Sequence, residues 1–356
     1  MTELLISNLP PMRSSHKKSF AKCFKTLFEE TDKVCIATGY ISTEALTELK
    51  SIAEANQKGI ILVIGMHFFE GITKIQYQAA NYLNDFLVQN SLGKVYVTNA
   101  FKFHGKLYTF YKNNHIYAGI LGSSNLNSIL DNHNNYEIDL LLDNQAIITE
   151  IDEFIVNLID KTCIPISEWH PDKFNENNKL LEDHENVKHC SVNEIAEIKS
   201  QITSVCFEIP IKTFETAPRS NTNAFFGKGR DNKRGFIQPR HWYEVELIVP
   251  KRITDNPNYP KAGYPDKESI ITVYTDDEWC FECKISGDYS KNFRSSDDLK
   301  ILGKWIKGRL ENNGVLQIGE PLTESVLKAY GRNSITMKGT KNPKVWYLDF
   351  STRSSK

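Results

Sequence analysis

Four side-chain types within residues 101–143 have the chemistry needed to break a phosphodiester bond. His104 supplies an imidazole and Lys106 a fixed cation. Asn125 supplies a neutral amide donor and Glu137 a carboxylate. An imidazole can attack phosphorus and form a covalent intermediate, which divides one difficult step into two. The ammonium and the amide would hold the non-bridging oxygens, and a carboxylate on the second ring nitrogen would fix the imidazole tautomer. The set predicts cleavage that requires no metal ion or other cofactor, with a second acid needed to protonate the leaving oxygen.

The spacing of these residues predicts that two strands and a tight turn bring them together. On an extended strand, residues two apart share a face, so His104 and Lys106 point the same way. The small-residue tract Gly122-Ser123-Ser124-Asn125 can bring backbone N–H groups, the Ser123 hydroxyl and an amide to one spot. Glu137 opens the strand that follows.

Alternating strand-like and helix-like segments extend over residues 1–160 and predict an α/β domain. β-Branched apolar runs predict buried strands, and helical spacing of apolar residues between them predicts helices. Ser42 or Thr43 is placed to cap the first of these helices, and Asn113-Asn114 predicts a hairpin turn. The predicted strands are 34–41, 59–66, 94–99, 105–112, 115–121 and 137–143, and the predicted helices are 42–55, 71–91 and 145–161. This alternation predicts a largely parallel sheet that is covered by helices on both faces.

Short strands separated by Gly, Pro, Asn and Asp replace this pattern after residue 200 and predict a mainly-β barrel or sandwich. The predicted strands are 204–209, 242–249, 270–274, 279–285 and 345–350, and two helical pieces are predicted near 296–303 and 323–330. Residues 162–200 are polar and acidic and predict a domain boundary. We therefore expect an N-terminal α/β domain over 1–165, an acidic linker over 166–200 and a C-terminal mainly-β domain over 201–356.

Composition excludes several classes of protein. The 356 residues are 40% hydrophobic and 24% charged, which is typical of two folded domains rather than a disordered chain. No apolar run approaches the roughly 20 residues that span a bilayer, and the first residues lack a signal-peptide pattern. Seven scattered cysteines argue against a disulfide framework and predict a reducing, cytoplasmic location.

The charge is distributed unevenly between the two halves. The net charge is −1 overall, but it is −7 over residues 1–199 and +6 over residues 200–356. Such asymmetry points to a polyanion as the partner of the basic half. The strongest basic concentration lies within 210–240.

The catalytic tract resembles the phospholipase D superfamily. His104-x-Lys106 followed by Gly122-Ser123-x-Asn125 is similar to the H-x-K and G-S-x-N signature of that superfamily, over about residues 30–160. Tyr136-Glu137-Ile138 resembles its glutamate-bearing strand. The resemblance implies an α/β domain with a mixed sheet and helices on both faces. Where the superfamily has an aspartate five residues after the lysine, this chain has Tyr111, a departure similar to the nuclease branch.

The superfamily builds one active site from two motifs, and this chain contains one complete motif. The resemblance therefore implies a homodimer about a two-fold axis, formed through the N-terminal domain. His104 of one subunit would be the nucleophile, and His104 of the partner subunit would be the general acid.

The whole chain is similar to restriction endonucleases of the NgoFVII type, which share the overall plan of BfiI. The stretches that carry this likeness are Lys328-Ala-Tyr-Gly-Arg-Asn-Ser-Ile-Thr and Val345-Trp-Tyr-Leu-Asp-Phe350. The resemblance implies a C-terminal pseudobarrel like the plant "B-three" DNA-binding domain. It further implies a type II-like hydrolase that cuts double-stranded DNA in a restriction–modification system, with a separate NTPase subunit allowed.

Two arms of that pseudobarrel are expected to contact DNA, at 219–234 and 286–294. Their Arg, Lys, Asn and Asp side chains suit phosphate contacts and hydrogen bonds to base edges. Phosphate contacts are expected mostly from Lys228 and Lys233, and contacts to base edges are expected from Arg219, Asn221, Asn223, Asp288, Lys291 and Arg294. The full predicted set is Arg219, Asn221, Asn223, Lys228, Arg230, Lys233, Arg234, Asp288, Lys291, Asn292 and Arg294.

Two alternative functions stay open from the sequence. One is a sequence-specific DNA-binding protein with an inactive nuclease-like domain, and the other is a phospholipase D-type lipid enzyme. The second is disfavoured by Tyr111 and by the basic C-terminal half. The acidic linker has two interpretations as well, a solvated tether or a DNA mimic that occludes the cleft.

Overall fold

A mixed eight-stranded sheet organises the first of two structural units in this computed structural model. The structure describes residues 2–7, 9, 12, 14–130, 135–175, 180–182, 184, 186–232, 235–262 and 269–352. Unit 1 comprises Met1–Asn177 and Arg230–Pro239, and unit 2 comprises Asn178–Gly229 and Arg240–Lys356.

The elements of unit 1 follow the predicted alternation closely. Its sheet strands are β1 (Glu3–Ile6), β2 (Lys33–Thr38), β3 (Gly59–Ile64), β4 (Gly93–Thr98), β5 (Lys106–Lys112), β6 (His115–Gly122), β7 (Ile138–Leu142) and β8 (Cys163–Pro165). Its helices are α1 (Phe20–Glu30), α2 (Thr43–Asn56), α3 (His67–Glu70), α4 (Lys74–Gln89) and α5 (Gln145–Thr162). The strands β1 and β8 and the helix α1 were not predicted.

The sheet is mixed, which confirms what the phospholipase D resemblance implies, whereas the largely parallel sheet expected from the strand–helix alternation is wrong. The strand order is β1-β7-β6-β5-β2-β3-β4-β8. Only the β2–β3 and β3–β4 pairs are parallel, and each is connected through a helix. β5 and β6 are joined by two residues, a connection that permits only antiparallel pairing.

The side chains of β5 alternate between the two faces of the sheet, and each face is covered by a helix. Tyr108 and Phe110 point to one face, where they contact aromatic rings of α1. Leu107 points to the other face, where it packs in a cluster with Ile155 and Leu158 of α5. The prediction of an α/β unit with helices on both faces is therefore confirmed.

The predicted helix cap at Ser42 and the predicted hairpin turn at Asn113-Asn114 are both present. The Ser42 side chain accepts a hydrogen bond from the backbone N–H of Ala45 and caps α2. Asn113 and Asn114 have φ of 49° and 62°, the left-handed pair that a two-residue hairpin requires.

Unit 2 is a curled, mainly-β half-barrel, in agreement with the predicted pseudobarrel. Its strands are β9 (Val187–His189), β10 (Ile202–Pro210), β13 (Leu247–Ile248), β14 (Ser269–Thr275), β15 (Trp279–Ser286), β16 (Asn292–Ser295), β17 (Ser334–Thr340) and β18 (Val345–Asp349). Its helices are α6 (Val192–Ser200), α7 (Lys251–Thr254), α8 (Lys300–Asn312) and α9 (Glu324–Tyr330). The order is β10-β17-β18-β14-β15-β16-β13, and β9 also pairs with β15.

The predicted strand 242–249 is reduced to β13 because its first residues are attached to α8. The Trp242 indole and the Tyr243 hydroxyl both donate to the buried Glu311 carboxylate, at 2.7 and 2.9 Å. The Lys307 ammonium donates to the Trp242 carbonyl oxygen at 2.6 Å. The Trp242 carbonyl and the Tyr243 N–H, which donates to the His241 ring, are thus paired with side chains and not with a neighbouring strand. The helix α8 extends well beyond the predicted 296–303.

Residues 166–200, predicted as a linker, are divided between the two units and contain regular structure. Trp169 is buried in unit 1, whereas β9 and α6 belong to unit 2. The acidic residues Glu176, Asp183 and Glu185 lie outside the described residues.

A short hairpin within the predicted recognition sequence belongs to unit 1. It consists of β11 (Arg230–Asp231) and β12 (Ile237–Gln238). The Asn56 side chain, at the end of α2, both donates to the Ile237 carbonyl and accepts from its N–H, each at 2.8 Å. The chain after residue 229 thus returns to unit 1 for ten residues.

Within the described ranges, no helix is long and apolar enough to cross a membrane.

Candidate active site

The antiparallel pairing of β2 with β5 assembles the predicted catalytic residues at one end of the sheet. Thr38, the last residue of β2, is opposite Lys106, the first residue of β5. The chain that leaves β2 therefore runs beside the chain that enters β5. Gly39 passes so close to His104 that a Cβ there would lie 3.3 Å from the imidazole Cδ2.

His104 and Lys106 are in direct contact. The Lys106 Nζ lies 3.0 Å from Nδ1 and 3.2 Å from Nε2 of the imidazole, and it donates to the His104 carbonyl oxygen at 2.6 Å. The Lys106 side chain is buried, and burial lowers the pKa of its ammonium while the charge of Glu137 raises it. If either ring nitrogen bonded to the phosphorus of a phosphate group, the ammonium would lie close enough to contact an oxygen of the same group.

Asn125 is fixed by the end of β2. Its Oδ1 accepts from the Tyr40 backbone N–H at 3.1 Å and from the Thr38 hydroxyl at 3.3 Å. Since the carbonyl side of the carboxamide is occupied, its NH₂ group is the part available to an incoming oxygen. The predicted role of a neutral donor is consistent with this orientation.

Glu137 contacts Ser123 rather than the imidazole. The Ser123 hydroxyl donates to Glu137 Oε2, and the Ile138 N–H donates to the same hydroxyl oxygen at 2.9 Å. The expected carboxylate bond to the second nitrogen of His104 is not formed between these described side chains. The reason is that Gly122, one residue before Ser123, pairs with Asp139 and so brings the turn against the start of β7.

Asp139 is a buried carboxylate at this site that the sequence analysis missed. It accepts from the Ser124 backbone N–H at 3.0 Å and from the Ser124 hydroxyl at 2.7 Å. Burial raises the pKa of the Asp139 carboxyl, and the bonds from Ser124 partly oppose this rise. The only available signal was the alternation along β7, which directs Glu137 and Asp139 to the same side of the strand.

Tyr111 lies away from this cluster, at the far end of β5. It is opposite Lys33, whose ammonium lies 3.9 Å from the centre of the Tyr111 ring. The position at which the superfamily has an aspartate is therefore used here for packing and a cation–π contact.

The predicted DNA-contact residues differ widely in exposure. Arg219, Lys228 and Asp288 are exposed on unit 2, and Arg230 is exposed on the hairpin that belongs to unit 1. Lys291, Asn292 and Arg294 are half-buried at β16, and the Arg294 guanidinium lies 3.7 Å from the Glu246 carboxylate. Lys233 and Arg234 lie outside the described residues.

Two predicted base-reading asparagines have structural contacts instead. Asn223 is 0% exposed, and its amide both donates to the Leu322 carbonyl and accepts from the Leu322 N–H, at 3.2 and 2.9 Å. Asn221 is also buried and accepts from the Ile248 N–H at 2.9 Å. Neither buried amide can reach a base edge in this conformation.

Tyr289, at the tip of the second predicted arm, was missed. Its side chain is 79% exposed and its φ is 60°, a left-handed conformation that is unusual for an aromatic residue. Nothing in the local sequence pattern marks it.

The two halves of the chain match two domain models of one protein family. Residues 18–169 match the N-terminal PLD (phospholipase D) domain of the NgoFVII restriction endonuclease. Residues 197–341 match the NgoFVII C-terminal B3-like DNA-binding domain. The prediction of both halves is confirmed, and no curated protein matches the chain.

Several solved structures are similar to part of the chain. NucT from Helicobacter pylori is 15% identical, with 46% of this chain and 98% of that chain covered and a TM-score of 0.32. Nuc, a phospholipase D family member from Salmonella typhimurium, is 10% identical over 46% of this chain and 95% of its own, with a TM-score of 0.34. Phosphatidylserine synthase from Haemophilus influenzae is 16% identical over 48% of this chain and 41% of its own, with a TM-score of 0.34.

Replacing Asp139 by asparagine should change how stability depends on pH. Because its folded-state pKa is raised, Asp139 contributes stability that is fully present below the unfolded pKa and is lost as pH rises through the folded pKa. The free energy of unfolding of Asp139→Asn should therefore increase relative to wild type between about pH 3 and pH 7. Urea unfolding at both pH values measures this, with exposed Asp85→Asn as the control. A relative decrease would contradict the assignment.

Asn223→Ala should destabilise the protein rather than weaken DNA contacts alone. It leaves the buried N–H and carbonyl of Leu322 without partners, which costs about 2 kcal/mol. Arg219→Ala, at an exposed position, should change the free energy of unfolding by less than about 0.5 kcal/mol. Equal stability of the two variants in denaturant titration would show that Asn223 has no such structural role.

Proposed function

We propose that this chain, which belongs to the NgoFVII restriction endonuclease family, is a type II-like endonuclease that cuts double-stranded DNA at specific sites without a metal ion. The observation that carries the proposal is the contact of the Lys106 ammonium with both nitrogens of His104, beside an oriented Asn125 amide. The match of residues 197–341 to a DNA-binding domain supports DNA as the substrate.

In the proposed first step, a lone pair on His104 attacks phosphorus. A nitrogen–phosphorus bond forms, and the bond from phosphorus to the leaving nucleoside oxygen breaks. Lys106 and the Asn125 NH₂ group stabilise the charge on the non-bridging oxygens. Water then attacks phosphorus and gives its proton to the group that protonated the leaving oxygen, the nitrogen–phosphorus bond breaks, and His104 is released.

The leaving oxygen needs a proton, and His67, whose ring contacts Tyr40, is unsuited to supply it. The Nε2 of His67 accepts from the Ile41 N–H at 3.3 Å, which leaves Nδ1 to donate to the Gly71 carbonyl at 3.0 Å. Burial also lowers the pKa of His67. These observations support His104 of the partner subunit as the general acid, and hence a homodimer.

A row of exposed apolar side chains on the sheet is the candidate interface for this dimer. Leu121, Leu140 and Leu4 are aligned across β6, β7 and β1, and each is nearly two-fifths exposed. Ile138, on the same strand as Leu140, is 56% exposed and directly follows Glu137. We propose that a second copy covers this row, because the row adjoins the residues that one subunit provides to a shared site.

We propose that unit 2 recognises the DNA through the exposed or half-buried members of the two arms. Arg219 and Lys228 belong to the first arm, and Asp288, Lys291, Asn292 and Arg294 to the second. Asn221 and Asn223 are not included, because their amides are buried and hydrogen-bonded. The enzyme would act in the cytoplasm within a restriction–modification system, because host DNA must be protected from a site-specific nuclease.

His104→Ala should abolish cleavage and leave DNA binding intact, because the residue bonds to phosphorus and is only one of many DNA contacts. Wild-type cleavage of plasmid DNA should persist in EDTA and without added nucleotide. A denaturing gel should show labelled DNA attached to wild-type protein but not to His104→Ala. His115→Ala, at the exposed β5–β6 turn, is the matched control and should cleave normally.

Three other results would each count against the proposal. Strict dependence on Mg²⁺ would contradict the mechanism. DNA binding with no cleavage under any condition would favour an inactive nuclease-like domain. Turnover of phospholipid vesicles without DNA cleavage would favour a lipid enzyme.

Leu140→Asp should dissociate the dimer, because it introduces a charge into the centre of the apolar row. Sedimentation velocity should show wild type at twice the chain mass and Leu140→Asp at the chain mass. Cleavage should fall at least tenfold in this variant because the general acid is lost. Val88→Asp, at an exposed apolar position of α4, should stay dimeric and active. A dimeric, fully active Leu140→Asp would overturn the proposed surface.

A further inference from the structure

The Tyr40 ring lies directly against the His104 imidazole. The two rings are nearly perpendicular, at 79°, with centroids 5.6 Å apart. Gly39 also lies close, since a Cβ there would be 3.3 Å from the imidazole Cδ2 and 3.4 Å from the His104 Cα. His104 is exposed, so Tyr40 and Gly39, together with the Lys106 ammonium, are the neighbours that restrict its imidazole.

The same residue fixes Asn125 through its backbone. The Tyr40 N–H donates to Asn125 Oδ1 at 3.1 Å, and the Tyr40 carbonyl accepts from the Thr38 hydroxyl at 3.2 Å. Two of the groups that would act on phosphate therefore depend on the position of one residue.

A second set of contacts holds the Tyr40 side chain itself. Its hydroxyl donates to Glu70 Oε2 at 2.7 Å, and the other oxygen of Glu70 lies 3.0 Å from the Lys102 ammonium. The Tyr40 ring also contacts His67, at 5.7 Å and 87°. Glu70 thus links Tyr40 to the segment that precedes His104 by two residues.

Electrostatics favour this link at neutral pH. The hydrogen bond from Tyr40 and the nearby Lys102 lower the pKa of Glu70 below its ordinary value. The bond to Glu70 raises the pKa of the Tyr40 phenol. The phenol therefore keeps its proton, and the carboxylate keeps its charge.

We propose that Tyr40 is a positioning residue that sets the rotamer of His104 for attack on phosphorus, and that Glu70 holds Tyr40 in place. This inference rests on the proposed function, since it concerns the same imidazole. It assigns a role to the end of β2, which the catalytic motifs themselves do not include.

Tyr40→Leu removes the ring, whereas Tyr40→Phe keeps it and loses only the bond to Glu70. Misplacement of a reacting group by about 1 Å can cost on the order of 100-fold in rate. We expect Tyr40→Leu to slow formation of the His104–DNA adduct about 10- to 100-fold under single-turnover conditions. Its dissociation constant for DNA should stay within about threefold of wild type, and Tyr40→Phe should recover most of the rate.

The matched control is Tyr117→Leu, which removes a half-buried tyrosine whose hydroxyl bonds to the Leu27 carbonyl. It should form the adduct at the wild-type rate. The positioning role is wrong if Tyr40→Leu also forms the adduct at the wild-type rate. It is also wrong if Tyr40→Phe is as slow as Tyr40→Leu and binds DNA more weakly than wild type.

Glu70→Ala gives a second test that leaves the Tyr40 ring in place, and it decides the question if Tyr40→Leu does not fold. The variant loses the same hydrogen bond as Tyr40→Phe, so it should slow adduct formation in the wild-type background only to about the rate of Tyr40→Phe. It should have a smaller effect in the Tyr40→Phe background. Equal slowing in both backgrounds would overturn the link through the phenol. Absence of an adduct in wild type would refute the proposed function itself, a result distinct from a normal rate in Tyr40→Leu.

Discussion

The register between β2 and β5 is the constraint on which the candidate active site depends. Because Thr38 is opposite Lys106, the residues that follow β2 lie beside the residues that precede β5. One pairing thus brings Gly39 and Tyr40 to His104, and it brings the Thr38 hydroxyl to Asn125. A shift of one residue would turn every side chain of one strand to the opposite face and separate these groups.

The two serines of the G-S-S-N turn bond to two different carboxylates, and these carboxylates differ in burial. Ser123 bonds to Glu137, which is partly exposed and lies close enough to raise the pKa of Lys106. Ser124 bonds to Asp139, which is buried and whose pKa burial raises. The first carboxylate therefore acts on the ammonium, while the second holds the backbone of the turn. A single pattern of small residues provides both the electrostatics and the geometry of the site.

Local signals in the sequence predicted most of the elements of unit 1. Apolar periodicity, the Ser42 cap and the Asn113-Asn114 turn depend on neighbours in the chain, and the structure agrees with them. The roles of Tyr40, Asp139 and Asn223 depend on contacts with residues far along the chain, so no local pattern marked them. The expected Glu137–His104 bond is not formed, because the alignment of β6 with β7 places the Glu137 carboxylate against Ser123. That alignment, too, involves residues distant in the chain.

Because residues 230–239 belong to unit 1, no single cut in the sequence divides the chain into its two units. The amide of Asn56 completes its hydrogen bonds with Ile237, which lies in sequence well inside the recognition half. Recombination that exchanged everything after residue 200 for a foreign specificity module would leave α2 without the strand that pairs with this amide. New DNA specificities in such a lineage would then arise more readily by changes within the arms than by wholesale transplantation of the recognition half.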